Sequence, residues 1–286
     1  MSTSPTTRPA SASGTFAIGD RTVNRLGYGT MQLPGPGRWG PTQDHDESIR
    51  VLRRAVELGV TLIDTADSYG PHVADDLLRE ALYPYPDDLV IATKAGLTRP
   101  GPGRWESDGR PEHLRASCED SLRRLGLETI QLFQLHRIDS KVPAAEQFGV
   151  LAELREEGKI RNAGLSEVSI AEIEAARRIV PIVTVQNRYN LIDRHSEDVL
   201  GYCEREGIGF IPWFPIASGR LASDDGAVAE LAEAKHATPA QIALAWLLAR
   251  SPVILPIPGT SQVAHLEENC AAALIRLTDA EMARLT

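Results

Sequence analysis

From residue 25 onward the chain alternates two kinds of apolar pattern. Short apolar runs occur at 25–30, 60–64, 89–94, 130–136, 161–166, 182–186, 208–213 and 253–257, each of the length expected for a buried strand. Between them apolar residues recur at helical spacing near 46–58, 72–82, 111–125, 143–157, 169–179, 194–206 and 238–250. A last such stretch lies near 262–273, and an additional one near 226–236. Ser169 and Thr238 suit N-caps, and Pro239 follows Thr238 at the first helical position. Eight strand–helix units predict an α/β fold with its parallel sheet closed on itself, a (β/α)8 TIM barrel.

Ahead of this rhythm, residues 16–23 carry Gly19-Asp20 at their centre and predict a β-hairpin at the foot of the barrel. Residues 1–15 are rich in Ser, Thr and Pro without an apolar run, and are expected to be a disordered tail ahead of a single domain spanning 16–286. They also lack the apolar core of a signal peptide.

Composition narrows the function classes. The 286 residues are 42% hydrophobic and carry a net charge of −9, with acidic and basic residues interspersed. That balance argues against nucleic acid or an anionic membrane as the main partner, and for a small-molecule substrate. No apolar run approaches the ~18 residues of a membrane span. Cys118, Cys203 and Cys270 are odd in number and far apart, which suggests neither a disulfide framework nor a thiolate metal site and fits a reduced cytoplasm. The histidines show no metal-ligand spacing, and no metal is assigned.

Six of the predicted strands end on Asp64, Lys94, His136, Ser166, Gln186 and Trp213. In a barrel all strand ends of one kind meet on one face, so these side chains converge there with Tyr69, five residues past Asp64. An ammonium beside a phenol favours the phenolate, so Lys94 is expected to lower the Tyr69 pKa while Asp64 keeps Lys94 charged. Tyr69 then serves as a general acid and His136 orients the substrate oxygen. This set suits protonation of an oxygen that is becoming an alkoxide.

The stretches Ile63-Asp64-Thr65-Ala66-Asp67-Ser68-Tyr69-Gly70, Thr93-Lys94, Leu135-His136, Gly164-Leu165-Ser166, Val185-Gln186-Asn187 and Pro256-Ile257-Pro258-Gly259-Thr260 resemble, in order, the motifs of the aldo-keto reductases. The resemblance runs from about residue 16 to the end of the chain. It is nearest to the bacterial and potassium-channel β-subunit-like branches. Leu26 to Leu33, Tyr69 to Val73 and Ala264 to Asn269 look especially similar to pyridoxal reductases of the pyridoxine 4-dehydrogenase type.

What the resemblance implies is hydride transfer from NADPH to a carbonyl carbon, with Asp64, Tyr69, Lys94 and His136 as the catalytic set. NADP(H) is the implied cofactor, with NAD(H) kept open because neither Gly259 nor His265 is the Lys or Arg that many relatives use on the 2′-phosphate. Ser166 and Gln186 would hold the carboxamide, and Trp213 would stack on the nicotinamide. Phe214, Pro215 and Ile216 through Gly219 and Leu221 would line the pyrophosphate path. Gly259, Thr260, Ser261, Gln262, His265, Glu268 and Asn269 would take the adenosine end, with the helix start after Gly259 offering backbone donors to phosphate. Thr30, Met31, Asp64 and Ile257 complete the implied contacts. Where many relatives have Asn, Glu167 can only accept when ionised, which would shift carboxamide binding toward Gln186.

One motif stands outside that scheme. Gly-Pro-Gly-Arg-Trp occurs at 35–39 and again at 101–105, after the first and third predicted strands. The first copy formally matches Gly-x-Gly-x-x-Gly but contains Pro and opens no helix, so it is not a dinucleotide loop. Trp39 and Trp105 are expected as aromatic lips over the substrate together with Met31, with Arg38 or Arg104 available to an anionic group. The leading functional expectation is an NAD(P)H-dependent reductase of aldehydes or ketones, with pyridoxal as the single substrate expected. A nicotinamide-nucleotide-sensing regulatory subunit with little turnover is the alternative, and a barrel isomerase the third reading.

Overall fold

The computed structural model describes residues 8–216 and 226–285. Strands β1 (Thr15–Ile18) and β2 (Arg21–Asn24) form the expected hairpin, with Ile18 opposite Arg21 across Gly19, whose φ of 60° suits glycine. Next come β3 (Tyr28–Gly29), β4 (Leu62–Asp64) and β5 (Val90–Ala95), then a second hairpin of β6 (Leu97–Gly101) and β7 (Arg104–Ser107). The chain continues through β8 (Ile130–Leu135), β9 (Ile160–Ser166), β10 (Ile182–Gln186) and β11 (Gly209–Phe210). Seven of these make one curled parallel sheet in the order β3-β4-β5-β8-β9-β10-β11.

Residues 253–258 close the ring. Phe210 N–H donates to Val253 O and Leu255 N–H to Phe210 O, each at 2.8 Å, while Gly27 N–H reaches Pro256 O at 2.9 Å and Gly29 N–H reaches Pro258 O at 3.4 Å. Pro256 and Pro258 have no N–H to return, so this stave pairs one way with the β3 side and is not the regular strand expected at 253–257. The fold is the (β/α)8 barrel.

Around the sheet lie α1 (His45–Glu57), α2 (Val73–Leu82), α3 (Pro111–Leu125), α4 (Ala144–Glu156), α5 (Ile170–Arg177), α6 (Glu197–Glu206), α7 (Ala227–Ala234), α8 (Pro239–Arg250), α9 (Val263–Ala271) and α10 (Asp279–Arg284). Ser169 and Thr238 are the N-caps of α5 and α8, each in a capping box, with Glu172 and Gln241. Among the described residues no helix is long and apolar enough to cross a membrane, and the three cysteines are buried and unpaired.

The interior changes character along the strands. Ile18 and Val23 of the first hairpin pack with Leu62, Val90, Ala92, Leu132, Ile211, Leu255 and Ile257 and plug the N-terminal end. Each such aliphatic side chain contributes roughly 1.5–3 kcal/mol by leaving water. Strand side chains repeat every two residues, so Leu62, Ala92 and Leu132 are followed on the same face by Asp64, Lys94 and Gln134. The apolar plug therefore becomes a polar floor at the C-terminal end.

Three segments depart from expectation. Residues Pro9–Ser13 form a 3-10 helix rather than part of a disordered tail. Ala10 is fully buried and donates its N–H to Leu58 O at 3.1 Å, and Ser13 Oγ accepts from Leu26 N–H at 3.0 Å. Pro9, Ala10 and Ser13 are the buried residues of this segment, too few to register in composition. The hairpin β6–β7 occupies what reads as a loop, and α10 lies beyond the last predicted helix, capped by Thr278 and Glu281.

Candidate active site

The C-terminal ends of β5, β8 and β10 bring three buried groups to Asp64, the last residue of β4. Lys94 Nζ donates to Asp64 Oδ1 at 2.5 Å, and Gln134 Nε2 and Gln186 Nε2 donate to Oδ2 at 3.1 and 2.9 Å. Lys94 also reaches Thr65 O at 2.9 Å and Tyr69 Oη at 3.2 Å, and its ammonium is fully buried. A buried ion pair is tolerable because its remaining valences are filled. Burial pulls the Lys94 pKa down, but the Asp64 carboxylate and the neighbouring Tyr69 more than offset it, so the pKa is raised.

The Tyr69 phenol shifts in the direction opposite to the expected one. Its pKa is raised, because burial outweighs the nearby ammonium. Tyr69 is consequently a protonated phenol at neutral pH, a donor already loaded. His136 is also buried and its pKa is held well below the ordinary imidazole value, by burial first and then by the charges of Lys94 and Arg137. It is a neutral imidazole whose Nδ1 lies 3.4 Å from Ser68 Oγ. Its ring meets Tyr69 edge-on at 6.0 Å between centroids.

These groups open into a cavity of about 1030 Å³. On its wall are Asp64, Tyr69, His136, Ser166, Gln186, Trp213, Phe214, Pro215 and Ile216, together with Met31, Ile257, Gly259, Thr260, His265, Glu268 and Asn269. Lys94 lies behind Tyr69 and Asp64. Thr30, expected as a cofactor contact, is fully buried and its Oγ1 donates to Asp64 O at 3.2 Å; neither it nor the exposed Ser261 and Gln262 is on the wall. Gly219 and Leu221 lie outside the described residues. Of the two aromatic lips, Trp105 lines the cavity and Trp39 does not, and of the paired arginines Arg38 lines it while Arg104 turns outward toward Glu106.

The expected cofactor contacts are set by competing bonds. Gln186 gives one of its two amide N–H groups to Asp64, and its carbonyl oxygen remains an acceptor. Ser166 Oγ accepts from Arg137 Nη1 at 2.9 Å and keeps its own proton to donate. Glu167 has a left-handed φ of 55°, a conformation that favours Asn over Glu, and its carboxylate accepts from Trp213 Nε1 at 2.6 Å and Arg188 N at 2.7 Å. It anchors the indole. At the other end, the first amide of α9, Val263 N–H, already donates to Glu47 Oε1 at 2.9 Å, so the helix start is partly capped by a carboxylate.

A family model described as Aldo/keto reductase family matches residues 25–286. The chain belongs to the aldo/keto reductase family. It is 51% identical over 276 residues to an uncharacterized oxidoreductase of Schizosaccharomyces pombe, covering 96% of this chain and 90% of the relative. It is 44% identical over 280 residues to pyridoxine 4-dehydrogenase of Escherichia coli, covering 96% and 98%. An aldo/keto reductase from Klebsiella pneumoniae solved with NADP and acetate superposes with a TM-score of 0.77 at 26% identity, covering 92% of this chain and 90% of that one.

This aldo/keto reductase is accordingly an NAD(P)H-dependent oxidoreductase. Its own residues fit a nicotinamide nucleotide. Gly29 and Gly259 line the same cavity as Ser166, Gln186 and Trp213, and their backbones approach so closely that a Cβ on Gly259 would stand 2.7 Å from Gly29 O. A hydroxyl donor, an amide acceptor and an anchored indole are the partners a carboxamide and its aromatic ring require.

Sequence reasoning missed Gln134, Arg137 and Arg99. Gln134 stands two residues before His136 and so shares its face, a signal available from strand periodicity. Arg137 follows His136 directly and, bound to Ser166, charges the cavity wall beside Tyr69.

Proposed function

We propose that this protein reduces an aldehyde or ketone to the alcohol, with Tyr69 as proton donor and pyridoxal as the preferred substrate. The observation that carries the reading is the Tyr69 hydroxyl on the cavity wall, 3.2 Å from a buried ammonium that is itself locked to Asp64. A reduced nicotinamide held by Ser166, Gln186 and Trp213 would supply the hydride. Tyr69 gives its proton to the carbonyl oxygen, and Lys94, held charged by Asp64, stabilises the phenolate left behind. Neutral His136 presents its second ring nitrogen to the same oxygen and orients it. Because the phenol pKa is raised, the resting protein is poised for reduction; oxidising an alcohol requires Tyr69 to lose its proton first.

Pyridoxal is supported by the E. coli relative, which is named for the alcohol of that pair, and by Trp105 and Met31 on the cavity wall, which suit a planar ring. The test is NADPH oxidation across a carbonyl panel that includes pyridoxal. Tyr69→Phe should lose about 10²- to 10⁴-fold in kcat while still binding NADPH. Activity surviving that change would remove Tyr69 as the donor. Tight NADPH binding with no carbonyl turned over would replace the reductase reading with nucleotide sensing.

A further inference from the structure

Arg99, on β6, is buried and forms no salt bridge among the described residues. Its guanidinium donates instead to four backbone carbonyls. Nε reaches Arg104 O at 2.8 Å, Nη1 reaches Arg38 O at 2.8 Å and Ser68 O at 2.9 Å, and Nη2 reaches Gly37 O at 2.8 Å. Arg38 and Arg104 hold the same position in the two Gly-Pro-Gly-Arg-Trp copies. The tryptophans are paired in the same way, since the Arg99 Cζ lies 3.7 Å from the Trp105 ring centroid and 5.6 Å from that of Trp39. The third residues of the copies also touch, Gly103 N–H donating to Gly37 O at 3.0 Å.

One side chain therefore joins three segments: the turn at 35–40, the β6–β7 hairpin, and the stretch after β4 that carries Tyr69. The chemistry calls for arginine. Four diverging acceptors and two aromatic faces match a planar fork with five N–H groups, whereas a lysine ammonium offers three donors from a single point. What the brace presents to the cavity is Trp105, whose ring stands edge-on to both Tyr69 and His136, with centroids 6.3 Å apart in each case.

We propose that Arg99 is a positioning residue for substrate selectivity: it makes the two repeat copies one wall, fixes Trp105 against the reacting oxygen's site, and so favours planar aromatic carbonyls over small aliphatic ones. This rests on the carbonyl-reductase reading above. Trp39 belongs to the brace and not to the cavity, which makes it a remote handle on the same device.

The test measures KM and kcat for benzaldehyde, pyridoxal and propanal in the parent, Arg99→Lys and Trp39→Ala, alongside the NADPH Kd and acrylamide quenching of tryptophan fluorescence. Arg99→Lys should raise KM for the aromatic aldehydes by about tenfold, with kcat within about threefold and propanal and NADPH unaffected. Trp39→Ala should shift the aromatic KM in the same direction by about threefold. Quencher access should rise in both. Equal losses for propanal and the aromatic aldehydes, or parental aromatic KM values in either variant, would overturn the proposal. If Arg99→Lys does not fold, Trp39→Ala carries the test alone. If the parent reduces no carbonyl, the functional reading falls, while unchanged quenching in the variants separately overturns the brace.

Discussion

Asp64, Lys94, Gln134 and Gln186 stand at the inner ends of neighbouring or facing strands, and each is held by at least one charge-assisted bond to another. Trp39, Trp105 and Arg38 stand on excursions from the barrel, held by backbone carbonyls and the single guanidinium of Arg99. The floor is positioned by the sheet, whose register leaves no freedom to move one side chain without its strand. The rim is positioned by a side chain reaching across sequence. Chemistry common to a family suits the first arrangement and selectivity suits the second, because loops change without disturbing the ladder.

Breaking the floor should have the largest effect. Lys94→Met strands the Asp64 carboxylate in the interior and should cost about 3–5 kcal/mol in denaturant unfolding, with kcat falling far more than KM rises. Survival of stability to within about 1 kcal/mol would mean the pair is not buried as described. Gln134→Leu removes one of the two amide donors on Asp64 Oδ2 and should cost about 1.5–3 kcal/mol by the same measurement.

The stretch linking floor and rim supplies a pH-dependent contrast. Burial, reinforced by the nearby Asp75, raises the Asp67 pKa to about 8, and burial raises that of Asp75 to about 7. Between the ordinary carboxylate value and these values the folded chain keeps protons that the unfolded chain releases. Stability should therefore fall as pH rises from about 4 to about 8, by up to about 1.4 kcal/mol per pH unit for each group. Asp67→Asn should flatten that decline, read as Tm across the same interval; an unchanged slope would count against a protonated Asp67.

The smallest effect belongs to the rim's cofactor side. Glu167→Gln weakens a charge-assisted bond to the Trp213 indole and should loosen NADPH by about two- to fivefold, or about 0.5–1 kcal/mol, in a fluorescence titration. Global stability should stay within about 0.5 kcal/mol of the parent, because Glu167 is exposed.

Most strands and helices of the barrel, and the convergence of Asp64, Tyr69, Lys94 and His136 at its C-terminal strand ends, could be read from the chain alone. Their signals are local: periods of two and of 3.6, N-caps at Ser169 and Thr238, and polar residues where apolar runs stop. Three matters were decided only in the folded molecule. Asp64 takes donors from Gln134 and Gln186, 70 and 122 residues away, because strand order and not sequence distance makes neighbours. The Tyr69 pKa moves up and not down because burial and the ammonium oppose each other, and their balance depends on how much protein surrounds the phenol. Two identical pentapeptides take different roles, both Trp rings against Arg99 but only Trp105 also on the cavity, since a side chain's task is set by what the rest of the fold places beside it.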